Sequence, residues 1–287
     1  MKKLLLALAV GTMTACTSDN DPAVVGDGSA VAVKFTVSGD FTLTNTHDMT
    51  RALTADGKDM TDLWVFDYIG TECQQTIHQT SSDPDFGAPT LSLGLGNHHI
   101  YFVASRSTGA TLDTDSKTLT FAKVLDTFYK DYPITITAAT ASGDSRSVSL
   151  DRVVTKLKVT FTDEIPANAA TFNVTPALWY YGIDYTTGQP TSATANQAIT
   201  LNIPTSSIGK TGEYINVYGF SGTTEWTTDI ALNCKTASGD ILGQGTIAAA
   251  PFVRNRVSEY AGPLFGDNGG FALSLNSAWD DSYQGSW

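Results

Sequence analysis

The chain has 287 residues, with 17 Lys and Arg against 29 Asp and Glu, a formal charge of −12. That balance argues against nucleic acid, since no surplus of cations exists to displace counterions from phosphate, and against binding an anionic bilayer by charge. Only 16% of residues are charged while 41% are hydrophobic and 10% aromatic, which excludes a disordered chain. Polarity rests instead on Thr, Ser and Asn, residues at ease on half-exposed strands.

The first residues read as an export signal. Lys2 and Lys3 form a positive start, and the apolar run from Leu4 to Val10 follows. That run is too short to span a bilayer as a helix, which takes about 20 residues. Met13-Thr14-Ala15-Cys16 resembles a bacterial lipobox. The expectation is a signal peptide over residues 1–15 and a lipidated N-terminus at Cys16. Each buried CH₂ is worth about 0.8 kcal/mol, so two or three acyl chains would hold the protein on outer-membrane lipid. Residues 16–29 read as a flexible acidic tether. Asp19 and Asp21 resemble the acidic export tag of surface lipoproteins in Bacteroidetes-type bacteria, and a plain tether accounts for them equally.

Beyond the tether, alternation of period 2 dominates. Val31, Val33, Phe35 and Val37 alternate with Ala32, Lys34 and Thr36, a half-buried strand. Further strands are predicted over residues 63–68, 99–104, 134–137, 153–161, 172–178, 199–203, 214–220, 230–234 and 271–275. Turns such as Ser38-Gly39-Asp40 and Ser238-Gly239-Asp240 separate them. One helix is predicted near 121–129, where Ala122, Leu125, Phe128 and Tyr129 share a face. Many short strands with few helices mean an all-β sandwich architecture, and the length asks for two in tandem. The divisions are 30–150 and 151–287. Residues 32–41 and 155–165 resemble each other as alternating strands closing on an acidic turn, so each reads as the first strand of its domain.

A search for chemistry finds little. The four histidines (His47, His78, His98 and His99) show no metal spacing. His98 and His99 are neighbours on a predicted strand and point to opposite faces, so they cannot share an ion. Gly94-Leu95-Gly96 is a turn before a strand, without the remainder of a dinucleotide fingerprint. Gly219-Phe220-Ser221-Gly222 is not a nucleophile elbow, and no His lies downstream to serve it. The acid groups Asp56, Asp59 and Asp62, Asp83 with Asp85, Asp113 with Asp115, and Asp280 with Asp281 fall in Gly/Ser/Thr-rich loops as turn acids. No catalytic residue, metal ligand or cofactor is expected. Cys73 and Cys234 fall in different domains and read as buried thiols. Trp179-Tyr180-Tyr181 with Trp226, Trp279 and Trp287 would suit a sugar-stacking platform, although rings on alternating strands fill cores more often.

Several motifs together resemble one family. Cys16, then Met49-Thr50-Arg51-Ala52-Leu53 before Asp62-Leu63-Trp64-Val65-Phe66-Asp67-Tyr68-Ile69-Gly70, is similar to the N-terminal domain of fimbrillin-type proteins of Bacteroidales. Leu150-Asp151-Arg152-Val153-Val154-Thr155-Lys156-Leu157-Lys158-Val159 resembles the start of their second domain. Asn255-Arg256-Val257-Ser258-Glu259-Tyr260 with Gly262-Pro263-Leu264-Phe265 resembles a late strand of it. The resemblance implies two tandem transthyretin-like (Greek-key) β-sandwiches and a non-enzymatic place in surface fimbriae. It also implies association with pilin subunits by β-strand addition. Two roles compete within it. A shaft or tip pilin would be cleaved between Arg51 and Ala52, losing Cys16 and the first strand, whereas Arg51 is otherwise simply a loop arginine. An anchor or accessory subunit would keep both and tether the fibre to the outer membrane. The compact length and acidic tether favour the anchor. A glycan-binding surface lipoprotein is the alternative of a different class.

Overall fold

The computed structural model describes residues 30–39, 60–140 and 142–265, and the backbone alone at 51–52 and 272–276. Strand β1 (Val31–Gly39) forms where the alternation is cleanest. Val33, Phe35 and Val37 are fully buried while Lys34 and Thr36 face solvent. There follow β2 (Arg51–Ala52), β3 (Asp62–Ile69), β4 (Glu72–Thr80), β5 (Thr90–Leu93), β6 (Gly96–Ser105), β7 (Thr108–Asp113), β8 (Thr118–Lys123), β9 (Thr127–Ile136) and β10 (Asp144–Arg152). The second half holds β11 (Val154–Phe161), β12 (Thr171–Pro176), β13 (Trp179–Asp184), β14 (Gln189–Thr194) and β15 (Ile199–Asn202). It continues with β16 (Tyr214–Phe220), β17 (Trp226–Lys235), β18 (Ile241–Phe252), β19 (Val257–Gly262) and β20 (Ala272–Asn276). Among the described residues the helical content is one 3₁₀ turn, Thr205–Ser207. The chain is all-β and sandwich-like, as its patterning requires.

In the first half the strands run β2-β1-β10-β9-β6-β3-β4, with β5 also paired to β1. Strand β10 turns the corner. Its residues from Asp144 to Leu150 pair with β1 in parallel, while Asp151 and Arg152 pair with β9. The two parts of the sheet therefore face one another. Between them Phe35 meets Phe102 at 5.4 Å and Tyr132 edge-on at 5.7 Å.

The second half stacks sheet β16-β11-β19-β20 on sheet β15-β12-β17-β18. Phe161 of β11 lies flat on Phe172 of β12, ring centres 4.3 Å apart. The resemblance of residues 32–41 to 155–165 has a topological counterpart. Both β1 and β11 pair in parallel with a late strand of their own half, β10 and β19, and antiparallel with another strand.

A fourth sheet, β14-β13-β8-β7, joins the halves, because β8 of the first pairs with β13 of the second. The outer face of β3 is thereby covered. Phe66 stacks on Tyr185 at 3.8 Å, the Tyr68 and Tyr185 hydroxyls meet at 3.0 Å, and Trp64 meets Phe121 at 5.9 Å. The second core thus runs on beneath the first sandwich. Leu150 lies inside β10, and the chain passes into the second sandwich at Val153.

The helix predicted near 121–129 does not form. Those residues are the end of β8, a connection at 124–126 and the start of β9. The apolar spacing serves two cores rather than one helical face: Phe121 and Val124 enter the second core, Phe128 the first. Asp126, between them, is fixed by Arg152. Tertiary pairing overrides the local 3.6-residue pattern.

Candidate functional site

The first strand is held in a groove by both edges. On one side it pairs with β10 from Val33↔Asp144 to Gly39↔Leu150. On the other, β5 pairs with residues Val31 to Lys34. Phe35 N–H and Val37 N–H then donate to Pro89 O and Gly87 O, each at 2.9 Å, and β2 pairs with Ser38 and Gly39. The floor is apolar: Leu63, Val65, Ile100, Phe102, Ile136 and Val148 are all buried in the same core as Val33, Phe35 and Val37. Each inward side chain gains about 1.5–3 kcal/mol by leaving water. Without β1 the groove would present an apolar trough and unpaired backbone groups on both walls, the template that strand addition uses.

The candidate cleavage bond lies in β2, where Ala52 faces Ser38 and Arg51 faces Gly39. It is therefore part of the ladder that closes the groove. Cys16 lies outside the described residues, as do Asp56, Asp59, Asp280, Asp281, Trp279 and Trp287.

The remaining candidates resolve into structural roles. Asp83 accepts from Thr80 N–H at 2.6 Å, and Asp113 from Asp115 and Ser116 N–H at 3.0 and 3.1 Å. The Ser116 bonds hold the Asp113 carboxyl below its ordinary value. Asp62 is on β3 rather than in a loop and bonds His78 at 2.8 Å. Among the described residues no group of three or more His, Cys, Asp and Glu is placed to hold a metal ion. Trp179 is 1% exposed and donates its indole N–H to Tyr218 O at 2.9 Å. Trp226 packs against Trp179, Tyr180 and Phe252. These rings fill the core instead of forming a platform. Cys234 is buried, which pushes its thiol up to about 11, and Cys73 is half-buried on β4.

His98 and His99 do point apart, as strand geometry demands. His99 faces solvent beside Asp131. His98 is buried, with Nδ1 2.7 Å from Asp67 Oδ1 and Nε2 2.9 Å from Gly94 O. Burial works against charging the ring, but the Asp67 hydrogen bond, the Gly94 carbonyl and the Asp67 charge outweigh it. The imidazole is held above its ordinary value, and in its charged form it donates from both nitrogens. It locks the β5–β6 turn to β3.

No family model and no curated protein matches the sequence. Solved structures do match in shape. An adhesin candidate from Bacteroides ovatus superposes with a TM-score of 0.54 at 10% identity, covering 90% of this chain and 95% of that one. A cell adhesion protein candidate from Bacteroides ovatus ATCC 8483 gives 0.53 at 11% identity, covering 87% and 97%. A fimbrial assembly protein from Parabacteroides distasonis ATCC 8503 gives 0.48 at 12% identity, covering 87% and 100%. This chain shares its fold with the two adhesion-protein candidates of Bacteroides ovatus. At such identities the likeness is one of architecture, and it extends over nearly the whole length of each chain. The β-sandwich architecture implied by the scattered motifs is met at the level of the fold.

Sequence reasoning missed one buried group in this adhesin-like fold. Arg152 at the end of β10 grips Asp126 with Nε at 2.7 Å and Nη2 at 3.0 Å, and reaches Asn255 Oδ1 with Nη1 at 3.2 Å. The pair is almost fully buried at the junction of the halves, and the guanidinium lies over Phe128. An arginine inside the apolar run that begins the second half is the one signal the sequence carries for it.

Proposed function

We propose that this chain is a cell-surface fimbrial lipoprotein, an anchor or accessory subunit without catalytic activity. Acyl chains on Cys16 hold it in the outer membrane, and pilin subunits join it by β-strand addition. The observation that carries the reading is β1, an N-terminal strand seated in an apolar groove with backbone partners on both edges. The shared adhesin fold, the lipobox and the acidic tether support it. A second reading, a shaft or tip pilin matured at Arg51, would release Cys16 and β1 together and leave the groove for a neighbour's strand. The pairing of Arg51 and Ala52 with β1 favours retention, because a protease needs an extended, accessible segment and would first have to peel β2 away.

The test is the intact mass of the protein recovered from the outer membrane of its own host. A mass matching residues 16–287 plus acyl chains supports the anchor. A mass matching 52–287 means maturation at Arg51 and a polymerising pilin. An unlipidated chain beginning elsewhere refutes both readings.

A further inference from the structure

The turn from β18 to β19, Val253-Arg254-Asn255-Arg256, takes no part in the groove that receives β1. It lines a separate cleft of about 470 Å³ at the junction of the two halves, together with Arg152 and Thr223. Three arginines around one cleft are conspicuous in a chain carrying 17 Lys and Arg and a net charge of −12.

Arg254 is the central group. It is half-buried, its Nε donates to Ser221 O at 3.1 Å and its Nη2 to Gly188 O. Two backbone carbonyls thus fix the plane of the guanidinium. Among the described residues no carboxylate forms an ion pair with it, and none offers its Nη1 edge an acceptor. Desolvation pulls its pKa below the ordinary arginine value, opposed by Tyr129 and by the nearby Asp151 charge. A cation held in place without a directly paired carboxylate is costly unless an anion completes it, and a planar fork suits a carboxylate.

The neighbours supply neutral donors. Asn255 sits in the left-handed region with φ 58°, held by its N–H to Val154 O at 2.9 Å. Its amide oxygen accepts from Arg152, which leaves the NH₂ group as a donor. Arg256 is half-exposed and only 3.9 Å from Glu225, a loose surface pair. One acid also stands on the wall: Asp151, well exposed and 3.0 Å from Lys130. It can accept from hydroxyls, and it disfavours a ligand carrying several negative charges.

We propose that this cleft binds a sugar acid, its carboxylate on Arg254 and Arg256 and its ring hydroxyls on Asn255, Thr223 and Asp151. The volume exceeds what an inorganic anion fills, and the mixture of charged and neutral donors matches a ring bearing one carboxylate and several hydroxyls. The site is independent of the anchor reading, since neither Cys16 nor β1 contributes to it.

The experiment is titration of the full chain with glucuronate and galacturonate, followed by calorimetry and ligand-observed NMR, with glucose and sulfate as comparison probes. Saturable binding of a uronate is expected, with glucose weaker by about tenfold or more for want of a charge-assisted bond. Arg256→Gln should weaken uronate binding to a similar degree. Arg254→Gln should weaken it further, and Arg146→Gln, on the exposed part of β10, should leave it unchanged. Because Arg254 also bonds two carbonyls, Arg256→Gln carries the test if Arg254→Gln fails to fold. The proposal is overturned if neither uronate saturates below the concentration at which glucose does. It is equally overturned if sulfate competes as well as the uronates, marking an unselective anion site, or if the folded arginine variants bind uronate with unchanged affinity.

Discussion

Phe35→Ala puts the role of β1 to a quantitative test. Phe35 is fully buried, its ring packed on Phe102 at 5.4 Å and edge-on to Tyr132 at 5.7 Å. Truncating a phenylalanine in such a core costs about 3–5 kcal/mol, a large share of the roughly 5–15 kcal/mol by which a domain is stable. Thr36→Ala, one residue along and facing solvent, should stay within about 0.5 kcal/mol. Urea unfolding read by far-UV circular dichroism and by tryptophan fluorescence separates the two cores. Trp64, Trp179 and Trp226 lie in or against the second core, whereas Phe35 belongs to the first. The dichroism transition of Phe35→Ala should therefore move ahead of the fluorescence transition, its midpoint falling by about 1 M or more for a slope of 1–3 kcal/mol/M. A loss below about 1 kcal/mol, under a third of the smallest expected cavity cost, would mean that β1 is not an integral strand of its core. The groove argument would fail with it.

Asp126→Leu should cost about 3–5 kcal/mol by leaving the Arg152 guanidinium buried without its carboxylate. Asp126→Leu combined with Arg152→Met should lose much less, and equal losses in chemical denaturation would refute the buried-pair account. His98 supplies a pH dependence. Its folded pKa lies above the unfolded value of 6.5, so its stabilisation is complete below that value and fades as pH rises through the folded one. His98→Phe should abolish that part of the melting-temperature profile, and a wild-type profile without any alkaline loss through this window would contradict it. Gly219 on β16 lies under the Trp179 indole, where an added Cβ would stand 2.5 Å from Cε2. Gly219→Ala should cost about 1–3 kcal/mol by displacing the ring and should shift the fluorescence maximum; an unaltered melting point and spectrum would count against this packing.

Strands were readable where their alternation reports one buried face, at a sheet edge as well as inside one. Tyr214–Phe220 forms β16, and Val154–Phe161 forms β11, where Leu157, Val159 and Phe161 turn inward. The interior strands β8, β10 and β13 escaped reading, and so did several sheet edges. β4, β7, β14 and β18 each terminate a sheet, and Thr, Ser, Gln and Gly keep them polar or small. Strand β7 is exposed at every position, so no face is selected by burial and no alternation arises. The site was legible to the same degree. The inward triad Val33, Phe35 and Val37 could be seen, because apolar side chains announce their own burial. Its two walls could not, since pairing with β10 and β5 joins residues far apart in the chain. Nor could Arg152–Asp126–Asn255, which depends on a three-way meeting across the junction of the halves.

The register of β1 also bears on what a tethered subunit must withstand. Force applied through a lipid on Cys16 would enter the described fold at Val31, the first residue of β1. The covalent path from there to the second half leaves through the end of β10, which continues into β11. Because β1 and β10 are parallel, the entry of one and the exit of the other lie at opposite ends of a single ladder, from Val33↔Asp144 to Gly39↔Leu150. Pulling these ends apart shears all the bonds together rather than unzipping them in turn. Antiparallel pairing would place both points at the same end and let the bonds fail singly. A first strand that closes the core and meets the last strand of its half in parallel therefore suits a subunit that keeps its lipid and bears a fibre.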